Sequence, residues 1–89
     1  MTTLFVRHQV ADYAKWRQAY DTFGPVQERF SVKAQAVYRA ADNPNDVTVT
    51  HEFSALEAAQ QFAASDDLRN AMHDAGIVGE PTIWFASKV

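Results

Sequence analysis

The chain has 89 residues, a formal net charge of −3 and no cysteine, and 47% of its residues are hydrophobic. This length predicts a single domain over residues 1–89, the lack of cysteine excludes disulfide bonds, and an acidic balance without a basic run argues against binding nucleic acid. No apolar run approaches the roughly 20 residues of a membrane span, and no signal peptide is evident at the start, so we expect a cytoplasmic protein without a membrane partner.

The first part of the chain predicts a strand and then an aromatic helix. Residues 3–10 alternate in character, which is the period of a half-buried strand. Asp12 is a candidate helix N-cap, and aromatic residues follow it at helical spacing: Tyr13, Trp16, Tyr20 and Phe23. Gly24 and Pro25 either end this helix or break it before a second short turn. The aromatic stripe is interpreted first as a packing face, and second as the wall of a pocket for a flat aromatic ligand.

The middle of the chain predicts a hairpin followed by a helix. Residues 34–41 are a weaker strand candidate, and the turn-forming segment 42–46 joins them to a strand over residues 47–53. Ser54 and Glu57 have the spacing of a capping box, which predicts a helix that begins at Ser54.

The last part predicts a short helix and a final strand. Ser65 is a candidate N-cap, and Gly76 is suitably placed to end the helix in the left-handed conformation. The final strand is predicted over residues 81–87.

This element order predicts an α+β fold of the ferredoxin-like βαββαβ type, with a four-stranded antiparallel sheet and helices on one face. Right-handed crossovers should place the first and third strands side by side in the middle of the sheet. We expect that central pair to run parallel, with the second and fourth strands at the edges.

The alternation of the strands predicts two different sheet faces. The face under the helices is expected to carry Leu4, Val6, His8, Val10, Val47, Val49, His51 and Phe53. The open face is expected to carry Phe5, Arg7, Gln9, Thr48, Thr50 and Glu52. The last strand adds Trp84 to it, or Ile83 and Phe85 if its alternation is the opposite. The open face is too apolar for bare solvent and too polar for an ordinary core, so we expect a second copy of the sheet to cover it.

Three stretches carry a resemblance to a known family. They are the run V-x-D-Y-x-x-W-x-x-x-Y over residues 10–20, "EFSALEAAQQFAAS" over 52–65 and "AMHDAGIVGEP" over 71–81, and the pattern continues through most of the chain. The chain resembles the dimeric α/β-barrel superfamily and, within it, small proteins similar to antibiotic biosynthesis monooxygenases. The resemblance implies a homodimer with two facing sheets, and a ligand cavity either between each sheet and its helices or inside the barrel.

His51 is the candidate catalytic base for such a protein. A zinc-protease motif is excluded because it needs a second histidine four residues later on a helix, whereas residue 55 is alanine. His51 and Glu52 point to opposite faces of a strand and cannot easily serve one site. His8 shares the face of His51, so the two imidazoles could form a base or part of a metal site, but a convincing third ligand is lacking. We therefore predict no metal and no cofactor.

The other candidate residues are polar or aromatic side chains beside the expected cavities. The predicted substrate-binding residues are Arg7, Thr50, Glu52, Trp84 and Trp16. Arg7 is also expected to form an ion pair with Glu52, which has a structural interpretation as well as a functional one. Arg39 is a weaker candidate for binding an anion from the open face, and His73 is expected at a helix end on the surface.

Three functions remain open on the sequence alone. By resemblance, the protein is a cofactor-independent monooxygenase of a small aromatic or polyketide-like substrate, which itself supplies electrons to oxygen after losing a proton. The alternative is a non-catalytic dimer that binds a small hydrophobic ligand, in a stress response for example. A haem-degrading role is the third, and it requires an iron-ligating histidine.

Overall fold

The computed structural model describes all 89 residues and contains four strands and four helices. The strands are β1 (Thr2–Val10), β2 (Ala34–Ala40), β3 (Asn43–Phe53) and β4 (Ile77–Ser87). The helices are α1 (Tyr13–Asp21), α2 (Gly24–Arg29), α3 (Leu56–Ala63) and α4 (Asp66–Asp74). The predicted ferredoxin-like order is confirmed, with each helical region divided into two helices. None of the helices is long and apolar enough to cross a membrane.

The sheet has the order β2-β3-β1-β4, and every neighbouring pair is antiparallel. The prediction that the first and third strands are central is confirmed, but the prediction that they run parallel is wrong. Each helical crossover passes over one strand, so β1 is parallel to β2 while β3, which lies between them, runs the opposite way.

The predicted helix boundaries in the first half of the chain are confirmed. The Asp12 carboxylate accepts a hydrogen bond from the Ala14 amide at 3.0 Å and caps α1. Gly24 and Pro25 break the first helical region and begin α2, where Pro lies in the first turn without needing an amide hydrogen.

The boundaries of α4 also follow the sequence. The Ser65 hydroxyl accepts from the Leu68 amide at 3.1 Å and caps the helix. Gly76 follows the helix with a φ of 76°, the left-handed conformation that glycine adopts without strain.

The predicted capping box at Ser54 is wrong. The N-cap of α3 is Ala55, which has extended backbone angles and makes no side-chain cap bond. The chain needs one residue more than expected to turn from β3 into the helix. Packing stabilises α3 instead, since Ala59 and Phe62 are fully buried against the sheet.

The predicted difference between the two sheet faces is confirmed. The residues expected under the helices are all buried: Leu4, Val6, His8, Val10, Val47, Val49, His51 and Phe53. On the other face Phe5 lies opposite Trp84 in the register, and their rings stack in parallel with centroids 5.0 Å apart. The open face therefore carries an aromatic pair in which Phe5 is half-buried and Trp84 is exposed.

Strand β4 begins earlier than predicted because it contains a bulge. Arg7 pairs with Thr82 but Gln9 pairs with Val78, so β4 has two more residues than β1 between these pairs. Gly79, with a φ of 75°, lies within this irregular stretch. His8 consequently has no partner in β4.

Candidate ligand-binding site between the sheet and the helices

A cavity lies between the centre of the sheet and two of the helices. Val6 and Val49, which are paired in the register, lie between the strand positions of His8 and His51 and form its floor. Side chains of α1 and α4 form its walls, and 10 of its 12 lining residues are hydrophobic. The interior volume that the centres of water molecules can occupy is about 40 Å³. The whole empty space, including the open mouth, is about 420 Å³. The interior therefore suits a few waters or a small flat molecule.

Aromatic side chains form the α1 wall. The Trp16 ring stacks between Tyr13 and Tyr20, with centroid distances of 5.7 and 5.0 Å, and only 3% of Trp16 is exposed. Trp16, Tyr20 and Phe23 line the cavity as well as packing into the core. The predicted packing role is therefore confirmed, and these three residues also line a cavity, while the aromatic ligand stays a prediction.

The guanidinium of Arg39 lies on the helix side of the sheet, where it stacks 3.8 Å from the centroid of the Tyr13 ring. Arg39 pairs with Val47 in the register, so the expectation that it belongs to the open face is wrong. Alternation alone does not fix which face each residue of an edge strand occupies, because a shift of one residue exchanges the faces.

His51 lies on β3 with its imidazole almost completely buried, at 2% exposure. Phe62 and Tyr20 flank the ring, with centroids at 4.9 and 6.4 Å. Nε2 is 3.3 Å from the side-chain nitrogen of Gln27, while Nδ1 is buried without a hydrogen-bond partner. Burial disfavours the charged imidazolium and lowers the pKa of His51 to about 4, so the imidazole is neutral at pH 7.

Gln27 is a site residue that the sequence analysis missed. It lies on α2 with 9% of its surface exposed, and its side-chain amide is the polar neighbour of His51. In the observed orientation the amide donates to Nε2, so Nδ1 carries the proton; a rotated amide would accept from Nε2 and leave a lone pair on Nδ1. Its signal was a polar residue at helical spacing between Phe23 and Phe30.

His8 lines the same cavity from β1, and 6% of it is exposed. Neither ring nitrogen has a hydrogen-bond partner, and the ring centroid is 5.7 Å from that of Trp16. Burial lowers the pKa of His8, and the negative charge of Asp46 opposes this effect.

The two histidines face the cavity from different positions along the strands. His8 lies opposite Val47 and His51 lies opposite Leu4, an offset of four residues or about 13 Å. Zinc-to-nitrogen bonds measure about 2.0 Å, so one metal ion does not suit both residues at this spacing. No group of three or more His, Asp or Glu side chains in the chain is placed to hold a metal ion.

The open face contains an ion pair that differs from the expected one. The Arg7 guanidinium donates to both oxygens of Asp46, at 3.0 and 2.5 Å. The hydrogen bond to Asp46 raises the pKa of Arg7, and the same bond lowers the pKa of Asp46. The predicted pair of Arg7 with Glu52 is wrong within the subunit, because Glu52 lies opposite Thr3, four register positions away.

The predicted site residues are divided between the two faces of the sheet. His51 and Trp16 line the cavity under the helices, whereas Arg7 and Trp84 line a polar groove on the open face. Thr50 and Glu52 are half-buried on that face, outside the groove lining. His73 lies in the last turn of α4 and is exposed, as predicted.

Comparison with known proteins reveals similarity in structure but not in sequence. No family model matches the chain, and no curated protein matches it in sequence. A solved structure from Bordetella bronchiseptica, provisionally named an antibiotic biosynthesis monooxygenase, superposes with a TM-score of 0.85 at 15% identity and covers 99% of this chain and 96% of its own.

A second solved structure is SnoaB, a cofactor-independent oxygenase from Streptomyces nogalater. It superposes with a TM-score of 0.74 at 14% identity, over 99% of this chain and 94% of its own. A Nitrosomonas europaea protein of unknown function has a TM-score of 0.75 at 18% identity, over 99% and 92%. The chain thus has the fold of antibiotic biosynthesis monooxygenase-like proteins, which its sequence pattern predicts, but at these identities fold alone does not determine the reaction.

Proposed function

We propose that this protein is a cofactor-independent monooxygenase whose substrate binds in the cavity between the sheet and the helices. The observation that carries the proposal is His51, a neutral buried imidazole with an unpartnered Nδ1 in a cavity lined by aromatic and aliphatic side chains. An unpartnered polar atom in an otherwise apolar pocket is the arrangement expected where a ligand supplies the missing partner.

The proposed reaction begins when His51 takes a proton from the substrate. The resulting carbanion or enolate transfers electrons to oxygen, and a ring CH2 group with O2 becomes a carbonyl group and water. All electrons come from the substrate, so no external reductant is needed. The base role requires the lone pair on Nδ1, which the rotated orientation of the Gln27 amide provides by accepting from Nε2.

The low pKa of His51 restricts the substrates that this base can ionise. A phenol with an ordinary pKa near 10 lies about 6 units above the value of about 4 for His51, so proton transfer would be uphill by about 8 kcal/mol. The attraction between the new anion and the imidazolium recovers part of this energy in an apolar cavity. We therefore expect substrates whose ring CH2 group is acidified by neighbouring carbonyl groups, such as cyclic diketones that enter the cavity in neutral form, rather than simple phenols.

A homodimer through the open sheet face belongs to the same proposal. The Phe5–Trp84 stack lies on that face with Trp84 40% exposed, and Tyr38, opposite Thr48, is 59% exposed. Burying such aromatic side chains contributes roughly 1.5–3 kcal/mol each. A partner sheet would also enclose Arg7, Thr50 and Glu52 in a shared interior. Sedimentation at micromolar concentration should give twice the 10.0 kDa mass of the chain.

Oxygen uptake tests the proposed reaction directly. Wild-type protein is mixed with a panel of hydroxylated polycyclic aromatics of graded acidity, and uptake is expected with the more acidic members. His51→Ala should lower the rate by about 100-fold or more, the usual contribution of a general base. His73→Ala is the matched control, because this exposed helix-end histidine should leave the rate unchanged.

Two results would contradict the oxygenase proposal. The first is no uptake with any member of the panel, and the second is equal rates for wild type and His51→Ala. The competing function is a non-catalytic ligand-binding protein. It is favoured by the absence of any charged side chain among the 12 lining residues, since these cannot stabilise an anionic intermediate as a charge would. Ligand retained in native mass spectrometry without oxygen uptake would support that function.

A further inference from the structure

The buried polar atoms that lack hydrogen-bond partners all lie in residues of the cavity. Three side-chain nitrogen atoms in the whole chain are buried without a hydrogen-bond partner: Nδ1 and Nε2 of His8, and Nδ1 of His51. All three belong to residues that line the same cavity. Since nearly all buried polar groups in folded proteins have partners, this concentration in one cavity indicates that a molecule bound there supplies them.

The contacts of His8 within the fold use its ring but neither of its nitrogen atoms. It packs against Trp16 but bonds to nothing through its ring, and the bulge leaves it without a partner residue in β4. Val6 and Val10, which face the same way on β1, show that an aliphatic residue suits such a position. Histidine at this position should therefore stabilise the fold less than leucine would, because its buried nitrogen atoms lack hydrogen-bond partners.

The two ends of the cavity are similar in chemistry. Burial lowers the pKa of both histidines, so each is a neutral ring with one donor and one acceptor nitrogen at pH 7. A hydroxyl group can serve either nitrogen, because it both donates and accepts. Since no charged side chain lines the cavity, an ionic group on a ligand would be buried without a counter-charge.

The spacing of the histidines sets the length of the ligand. Their positions are offset by four residues along the strands, about 13 Å, and both residues line the cavity together with Val6 and Val49, which lie between them in the register. Trp16 and Tyr20 stack along the wall between them. This geometry fits one flat ring with a polar group at each end.

We propose that His8 is a second polar anchor of the cavity, and that the ligand is a small, flat, uncharged molecule with a hydrogen-bonding group at both ends. This inference rests on the cavity being the substrate site, as the proposed function has it. It adds a residue and a ligand class, but it makes no statement about oxygen.

Anaerobic calorimetry with matched probes tests the inference. The probes are 4-(hydroxymethyl)phenol and 4-ethylphenol, which have nearly the same shape but differ by one hydroxyl group. Wild type should bind the diol about five to ten times more tightly, the contribution of one additional hydrogen bond. His8→Leu should lose this preference while it binds 4-ethylphenol as wild type does. His73→Leu should keep the preference.

Stability and NMR distinguish an anchor from a structural histidine. Without ligand, His8→Leu should be at least as stable as wild type, because it removes two unsatisfied buried atoms. In wild type, the diol should shift the imidazole nitrogen resonances of both His8 and His51. Equal affinity for the two probes, no binding of either at millimolar concentration, or a diol preference that survives His8→Leu would overturn the inference. If these binding results are obtained but no oxygen uptake is seen, only the proposed oxygenase reaction is contradicted.

Discussion

The two faces of the sheet are built from alternate residues of the same strands, yet they treat polar groups in opposite ways. Under the helices, the buried imidazoles of His8 and His51 retain nitrogen atoms without partners. On the open face, Arg7 and Asp46 satisfy each other through two hydrogen bonds. The face that is sealed from water is thus the one with unused hydrogen-bonding capacity.

This contrast matches the two proposed roles, association for the open face and ligand binding for the cavity. A buried donor or acceptor without a partner costs about 1–3 kcal/mol, so its persistence in a small domain indicates a use for it. The exposed aromatic residues of the open face pose the opposite problem, since they present apolar area to water. A partner surface would cover that area, whereas a small molecule in the cavity would satisfy the imidazoles.

The largest expected effect concerns packing under the helices. Phe53→Ala removes a fully buried ring and should lower the free energy of unfolding by about 3–5 kcal/mol. Tyr38→Ala, on the open face, removes a side chain that is 59% exposed in the subunit and should lower it by less, at most the roughly 1.5–3 kcal/mol of its burial in the proposed dimer. Urea unfolding at one fixed protein concentration measures both. Equal losses would end the distinction between the faces.

A second prediction concerns pH and the buried imidazole. His51 has a pKa of about 4 when folded and about 6.5 when unfolded, so the unfolded state binds more protons between these values. The contribution of His51 to the free energy of unfolding is therefore fully present above pH 6.5. It decreases by about 3 kcal/mol as the pH falls to 4.

The measurement is the free energy of unfolding of wild type and His51→Leu over this pH range. The difference between the two proteins should change by the stated amount, because the carboxylates titrate in both. His73→Gln is the control and should follow wild type. Parallel curves for wild type and His51→Leu would show that the imidazole is not held neutral by burial.

The third prediction concerns the open face as an interface. Trp84→Glu places a charge beside Phe5 in the exposed stack and should weaken the proposed dimer by about 2 kcal/mol, or roughly 30-fold in dissociation constant. Leu56→Glu alters an apolar residue of α3 that is 46% exposed and should leave association unchanged. Sedimentation over a concentration series compares the two variants, and an unaffected Trp84→Glu dimer would contradict this use of the open face.

Much of the fold could be predicted because its signals are local. The alternation of β1 and β3 correctly separates the buried from the open residues, and the Asp12 and Ser65 caps are where the sequence places them. The wrong helix prediction concerns an exact boundary, where either of two neighbouring residues can be the helix N-cap. Ser54 has the spacing of a capping box, but the turn after β3 extends to Ala55.

The candidate site was harder to predict because it depends on register. Whether Arg7 meets Glu52 or Asp46 is decided by which residues of β1 and β3 face each other, and the alternation pattern alone is compatible with both. Gln27 was missed for a related reason. Its contact with His51 joins α2 to β3 across 24 residues of sequence, and a single polar residue in a short helix does not predict it.

By itself, the sequence determined which elements form, the side of the sheet on which each β1 and β3 residue lies, and the resemblance that anticipated the fold. These follow from periods of two and 3.6 residues, which any strand or helix imposes on its neighbours. Only the tertiary structure decided that His8 and His51 share one cavity and that their nitrogen atoms remain unpartnered. Hydrogen-bond satisfaction is a property of the packed interior, since it depends on how α1, α2 and α4 close over the sheet.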